Sequence, residues 1–165
     1  MNKKPTNNTA SEALKSMYSY WEYDNAPEFK QVVNSIDWNK KDGKWGEYQT
    51  DGNNACEGKV FIPDLSHMEG KTICEVMQYV QKEYTGKYRF PGLEYQQWLY
   101  ENPGKIPEEL KDTSKWFYFP GSSFCGSGGS WGVPYGNLKG SGWSRHGDWL
   151  GFDWGSDHRV VLLGK

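Results

Sequence analysis

The chain lacks a long apolar run and carries almost no net charge, and both absences exclude classes of function. No stretch approaches the roughly 18 apolar residues of a membrane-spanning helix, so we predict no membrane insertion. A net charge of −2 among 165 residues gives no basic surface for nucleic acid or anionic lipid. Residues 5–9 are polar where a secretion signal would be apolar. The sequence predicts neither a signal peptide nor a nucleic-acid partner, and it leaves the localisation open.

Cysteine is also scarce, which argues against a metal or redox motif built on thiols. The three cysteines, Cys56, Cys74 and Cys125, are far apart and form no C-x-x-C pair. A zinc site or a thioredoxin-like motif therefore has no support. We predict free cysteines, with one disulfide as the alternative.

Aromatic residues and glycine are abundant instead. Aromatics make up 16% of the chain, with nine tryptophans, and there are 20 glycines. The mean hydropathy is −0.88, which indicates a polar exterior. Because each aromatic side chain buries a large area, these residues must supply much of the core of a single domain.

The first part of the chain shows few structural signals. Residues 1–22 are predicted to be a polar tail with a short helix from residue 11, and residues 23–165 to form the domain. A second short helix is predicted to begin at Pro27, since proline suits a first helical turn. Residues 39–58, rich in Gly, Asn, Asp and Lys, are predicted to be a loop, and residues 59–63 a short strand.

Two helices are predicted more clearly. Thr72 and Glu75 match a capping box, in which each side chain bonds the backbone of the other residue. Apolar residues then recur at helical spacing: Ile73, Val76, Met77 and Val80. A further helix is predicted over 93–101, ended by residues 102–104. An aromatic strand over 116–119 follows, then short antiparallel strands in Gly/Ser-rich loops. Helices followed by strands indicate an α+β fold.

The composition changes after residue 116. Between Phe117 and Leu163, Lys139 is the single Lys, Glu, Gln or Met. A loop region that uses few long side chains would explain this scarcity. It would not explain four recurring tryptophans, which need burial. We therefore interpret the region as folded. The four are Trp131, Trp143, Trp149 and Trp154.

The runs 116–122, 130–134 and 143–163, preceded by residues 87–110, carry a family resemblance. They resemble the variable region of target proteins of diversity-generating retroelements, and the resemblance covers about residues 58–163. Those proteins are similar to the C-type lectin fold, which formylglycine-generating-enzyme-like domains share. In such systems a reverse transcriptase randomises adenines, so that Asn codons can become many residues but not Trp, Lys, Glu, Gln or Met.

The resemblance implies a variable ligand-binding surface within about residues 117–163, on a fixed aromatic scaffold. It implies a protein or cell-surface ligand, no cofactor and no catalysis, and it leaves the ligand and the oligomeric state open. The implied variable residues are Ser123, Phe124, Cys125, Ser130, Gly132, Ser144, His146, Gly147, Asp148, Gly151, Phe152, Gly155, Ser156, Asp157 and His158. The implied scaffold residues are Trp131, Trp143, Trp149, Trp154 and Arg159, with Arg159 pairing to a carboxylate.

Other interpretations of the same residues remain open. His146, Asp148, Asp153, Asp157 and His158 are residue types that bind metals or transfer protons, yet no helical His-x-x-x-His spacing supports a metal site. A calcium-dependent carbohydrate-binding module is one alternative, although the usual Glu-Pro-Asn and Trp-Asn-Asp motifs are missing. An enzyme related to formylglycine-generating domains is another, although those domains use paired cysteines.

Overall fold

The structure, a computed structural model, describes residues 31–34, 58–125 and 131–165. Of residues 31–34, 93–94 and 124–125 it describes the backbone. The predicted tail helix, Cys56 and Ser130 lie outside the described residues.

Within those residues, short strands outnumber helices. The two α-helices are α1 (Ile73–Tyr84) and α2 (Leu93–Glu101). Three 3-10 turns lie at Ser66–Met68, Pro103–Lys105 and Glu108–Leu110. The strands are β1 (Gln31–Asn34), β2 (Val60–Phe61), β3 (Tyr88–Arg89), β4 (Trp116–Tyr118), β5 (Ser122–Cys125), β6 (Trp131–Gly136), β7 (Leu138–Lys139), β8 (Gly142–Trp143), β9 (His146–Trp149), β10 (His158–Val160) and β11 (Leu162–Gly164).

Three sheets form from these strands. The main sheet has the order β1-β5-β6-β4-β10, and β9 pairs with β6. A second sheet has the order β2-β11-β3, and β7 and β8 form a two-stranded sheet. All the pairs are antiparallel except β10 with β4, which is parallel. The α+β class is confirmed, whereas the expectation of antiparallel strands alone is wrong for β10.

Two of the predicted helices are confirmed: the one that follows the capping box of Thr72 and Glu75, and the one over residues 93–101. The Thr72 hydroxyl accepts a hydrogen bond from the Glu75 N–H at 3.1 Å, and Glu75 Oε2 accepts one from the Thr72 N–H at 3.3 Å. The four predicted apolar residues of α1 are fully buried. Helix α2 ends at Glu101, and the N–H of Asn102 bonds the carbonyl of Trp98.

The main sheet contributes to two cores, because neighbouring residues of a strand point to opposite faces. Tyr118 of β4 packs in one core with α1, whereas Phe117 packs in the other with α2. The first core also holds Val133 and Trp154. Helix α1 thus covers part of one sheet face, and the functional candidates described below lie on that face.

The prediction of a second short helix beginning at Pro27 is wrong for residues 31–34. Residues 31–34 form β1, which pairs antiparallel with β5, with Val32 opposite Phe124. Two β-branched valines favour an extended backbone, and β5 offers a free edge to pair with. Proline at residue 27 indicated the start of a helix, but a partner from the distant part of the chain determined the outcome.

Candidate functional site

Half-buried rings and polar groups lie together where β4, β6, β9 and β10 meet. Tyr135 stands opposite both Tyr118 and His146, and His158 stands opposite Trp116. Cross-strand partners project from the same face of a sheet. We call this set of five side chains the aromatic–histidine patch: Trp116, Tyr135, His146, Asp148 and His158. All five are half-buried.

The patch continues a buried surface. Tyr118, Val133 and Val160 on the same face are fully buried in the core with α1. The patch residues begin where this cover ends, so each keeps part of its side chain in contact with solvent. The arrangement presents ring surface to solvent on a rigid base.

Ring contacts hold the patch together. The Trp116 ring lies 5.4 Å from Tyr135 and 5.5 Å from His146, and Tyr135 and His146 are 5.4 Å apart, all between centroids. Tyr135 also stacks on buried Tyr118 at 4.9 Å and 10°. These distances lie in the range of favourable aromatic contacts, so the rings restrain one another.

A chain of hydrogen bonds runs beneath the patch. The Gly155 N–H donates to Nδ1 of His158 at 2.9 Å, and His158 Nε2 lies 3.3 Å from the Tyr118 hydroxyl. That hydroxyl donates to Oδ2 of Asp148 at 2.7 Å. Because Nδ1 accepts, a neutral His158 carries its proton on Nε2 and donates it to the Tyr118 oxygen. The Trp149 N–H bonds the other Asp148 oxygen at 3.0 Å.

Tyr118 and the two histidines on this face are uncharged at pH 7. Burial and the nearby Asp148 carboxylate raise the pKa of Tyr118 far above its ordinary value. Burial lowers the pKa of His158, although Asp157 and Asp148 act in the opposite direction. Burial, with a smaller effect of Lys139, lowers the pKa of His146 to about 4. Both histidines are therefore neutral at pH 7, and the patch can accept and donate hydrogen bonds.

An exposed loop follows β9. Phe152 is 57% exposed, and Gly151 and Ser156 are also exposed, while Gly155 and Asp157 are half-buried. The N–H groups of Ile73 and Cys74 donate to the carbonyls of Phe152 and Leu150, so the start of α1 anchors this loop. The Trp154 ring lies 5.1 Å from His158, which connects the loop to the patch.

Two predicted surface residues are buried, which corrects that part of the expectation. Ser123 is fully buried, and its hydroxyl donates to the Gly132 carbonyl at 2.7 Å. Gly132 is buried too. Both lie where β5 and β6 pair, in the interior of the sheet. The sequence showed that these residue types were compatible with variation but not where their strands would lie.

Other predicted surface residues lie apart from the patch. Ser144 bonds the backbone and side chain of Asn137. Gly147 is half-buried on β9, opposite Pro134. Phe124 and Cys125 lie on β5 and pair with Gly132 and Trp131 of β6. Their side chains lie outside the described part of the structure.

The four predicted scaffold tryptophans differ in burial. Trp143 and Trp154 are buried, as predicted, whereas Trp131 and Trp149 are half-buried. Arg159 differs from the expectation of a carboxylate partner, since its Nη1 donates to the carbonyls of Ser156 at 2.8 Å and His158 at 2.7 Å. The guanidinium instead fixes the turn that leads into β10.

Three aromatic residues of the site were not predicted as functional. Trp116 and Tyr118 lie in the aromatic strand that the sequence identified, and Tyr135 follows on β6. The alternation of Trp116 and Tyr118 with Phe117 was a usable signal, because it places the first two on one face. Tyr135 gave no comparable signal, since its position opposite Tyr118 depends on strand pairing.

Comparison with protein-family models, with curated proteins and with solved structures gives no match. Among the helices of the described residues, none has the length and apolar character to cross a bilayer. In the same part of the chain, no three His, Cys, Asp or Glu side chains converge as metal ligands.

Proposed function

We propose that the aromatic–histidine patch and the loop 151–157 bind a protein or cell-surface ligand, on a C-type lectin-like fold. We further propose that a retroelement diversifies this surface. The observation that carries the proposal is the convergence of His146, Asp148 and His158 on one sheet face. The sequence predicts all three to be binding-surface residues, and Trp154 of the loop packs against His158 at 5.1 Å.

The patch has the physical properties of a protein-binding surface. Rigid aromatic side chains give a large contact area at a small loss of conformational entropy. Aromatic anchors also contribute most of the affinity in typical interfaces, with neutral contacts around them. Trp116 and Tyr135 supply the restrained rings here, and Phe152 supplies an exposed anchor that the loop presents.

The polar chain beneath the patch supports binding over catalysis. Tyr118 is fully buried, so its hydroxyl cannot reach a substrate. Its proton is directed to Asp148, and the His158 proton is directed to Tyr118. Hydrogen bonds that pair these three groups with one another hold their side chains in position. We therefore propose a binding protein without catalytic activity.

Tolerance to variation differs among the implied variable positions. A Cβ built at Gly151 has no atom within 4 Å, and Phe152 and Ser156 are exposed, so substitution there costs little stability. His158 and Asp148 are tied to the buried Tyr118 hydroxyl, so their variation carries a cost. We propose that diversity is concentrated in the loop, and that Ser123 and Gly132 are excluded.

A pair of randomised libraries tests the proposal that diversity is concentrated in the loop. One library varies Gly151, Phe152 and Ser156, and the matched control varies three buried positions, Ser122, Ser123 and Gly132. Protease resistance of each member reports folding. We expect most loop variants, but few control variants, to retain the resistance of the parent chain. Equal loss of resistance in both libraries would contradict the proposal.

The genetic proposal needs a separate test. Sequencing around the gene should reveal a reverse transcriptase and a near-copy of the segment encoding residues 117–163. We expect the copy to differ mainly at its adenines, at codons such as those of His146, Phe152 and Asp157. A neighbourhood with neither element would refute diversification by a retroelement, whatever the libraries show about tolerance of the loop to substitution.

A further inference from the structure

A pocket of about 310 Å³ lies beside the patch. The lining comes from residues 62–66, from Glu69, and from Trp154, Gly155, Ser156, His158 and Arg159. Leu65 and Trp154, which are 6% and 2% exposed, are two buried apolar residues of the lining. His158 lines the pocket and also belongs to the patch, so a ligand seated on the patch lies within reach of the pocket.

The lining combines these apolar residues with two carboxylates, those of Asp64 and Glu69. Asp64 and Glu69 are exposed. The Ser66 N–H donates to Oδ1 of Asp64 at 3.0 Å, which holds the carboxylate in place and lowers the pKa of Asp64.

Arg159 also lines the pocket, and one nitrogen of its guanidinium is engaged by the backbone. Arg159 donates through Nη1 to two backbone carbonyls, those of Ser156 and His158. His158 is neutral at pH 7, because burial lowers its pKa. Two carboxylates against one guanidinium leave the lining side chains net negative at neutral pH. This balance favours a cation over an anion as the occupant.

We infer that this pocket takes a basic side chain, arginine or lysine, from the protein ligand that the patch binds. The alkyl stem of such a side chain packs against Ile62 and Leu65, while its charged end reaches Asp64 and Glu69. The volume is at the lower end of the range for ligand cavities and suits one side chain. The inference rests on the proposed function for the claim that the ligand is a protein.

A titration with model compounds tests the pocket without a known ligand. The full chain, labelled with ¹⁵N, is titrated with N-acetyl-arginine methylamide, and N-acetyl-citrulline methylamide serves as the uncharged isostere. We expect saturable shifts of the Ser66, Gly155 and Ser156 amides and of the Trp154 indole with the arginine compound. The citrulline compound should bind several-fold more weakly, because it lacks the charge.

Matched variants assign the effect to the carboxylates. Asp64→Asn combined with Glu69→Gln should weaken binding of the arginine compound about tenfold, since charged hydrogen bonds are lost. Glu83→Gln removes an exposed carboxylate of α1 that does not line the pocket, and it should leave the affinity unchanged. All three positions are exposed, and amide dispersion in the spectra verifies folding.

The outcomes separate the pocket from the patch. Equal binding of the citrulline compound, or no saturable shift, would overturn the inference. So would a response to acetate that Arg159→Gln abolishes, because that result assigns an anion site. None of these results affects the libraries that test the loop 151–157, and failure of the libraries leaves the titration valid.

Discussion

The Tyr118 hydroxyl is the central member of the hydrogen-bonded chain beneath the patch, and Tyr118→Phe removes it alone. The ring and its stack on Tyr135 remain. The Asp148 carboxylate loses a donor and the His158 Nε2–H loses its acceptor. A hydrogen bond to a charged group contributes about 1.5–3 kcal/mol and a neutral one about 0.5–1.5 kcal/mol. We therefore expect the free energy of unfolding to fall by about 2–4 kcal/mol. For a chain of this size, the melting temperature should fall by about 5–15 °C.

Urea unfolding at pH 7.5, followed by circular dichroism, measures this difference. Tyr88→Phe is the matched control, since Tyr88 stacks on Phe61 at 4.5 Å and 8°, much as Tyr118 stacks on Tyr135. Within the described residues the Tyr88 hydroxyl makes no hydrogen bond. The control should change the stability by about 0.5 kcal/mol or less. If the two variants lose equal stability, the chain from Gly155 to Asp148 does not stabilise the fold.

Two further predictions concern the main sheet. The pKa of His146, about 4 in the fold against an ordinary 6.5, means that the unfolded chain binds more protons between these values. Stability is therefore fully present above pH 6.5 and falls toward pH 4, by an amount of order 3 kcal/mol. His146→Asn should reduce this loss in urea unfolding at pH 7.5 and 4.5, and an equal loss in both proteins would contradict the assignment. Gly136→Ala places a Cβ 2.1 Å from the Ser144 carbonyl oxygen, and we expect a loss of about 1–3 kcal/mol. The Cβ of Gly151→Ala meets nothing within 4 Å, so this control should leave the stability unchanged. Thermal melts of the two variants measure the difference.

Local signals in the sequence predicted local structure well. The capping box of Thr72 and Glu75 depends on residues three apart, and α1 begins where it predicts. Helix α2 likewise ends where Asn102 and Pro103 follow it. In both helices the information that determines the boundary lies within one turn, so a single sequence was sufficient.

Signals that depend on distant parts of the chain were not readable from the sequence. Val32 and Val33 form β1 because β5, some ninety residues later, supplies a partner. The parallel pairing of β10 with β4 has no local signature either. Burial of Ser123 follows from strand pairing on both sides of β5. The residue types of the candidate site were predictable, but their division between patch, loop and interior was not.

The pairing of the final strands has a genetic consequence. β10 pairs with β4, and β11 lies between β2 and β3, so the end of the described chain closes two sheets. A product that stops before His158, or is read out of frame there, loses four buried residues, Val160, Val161, Leu162 and Leu163. It also leaves β2 and β3 without their shared partner. Such a product should not fold and should be degraded by cellular proteases. A stable protein therefore requires an open reading frame through the whole of the preceding segment.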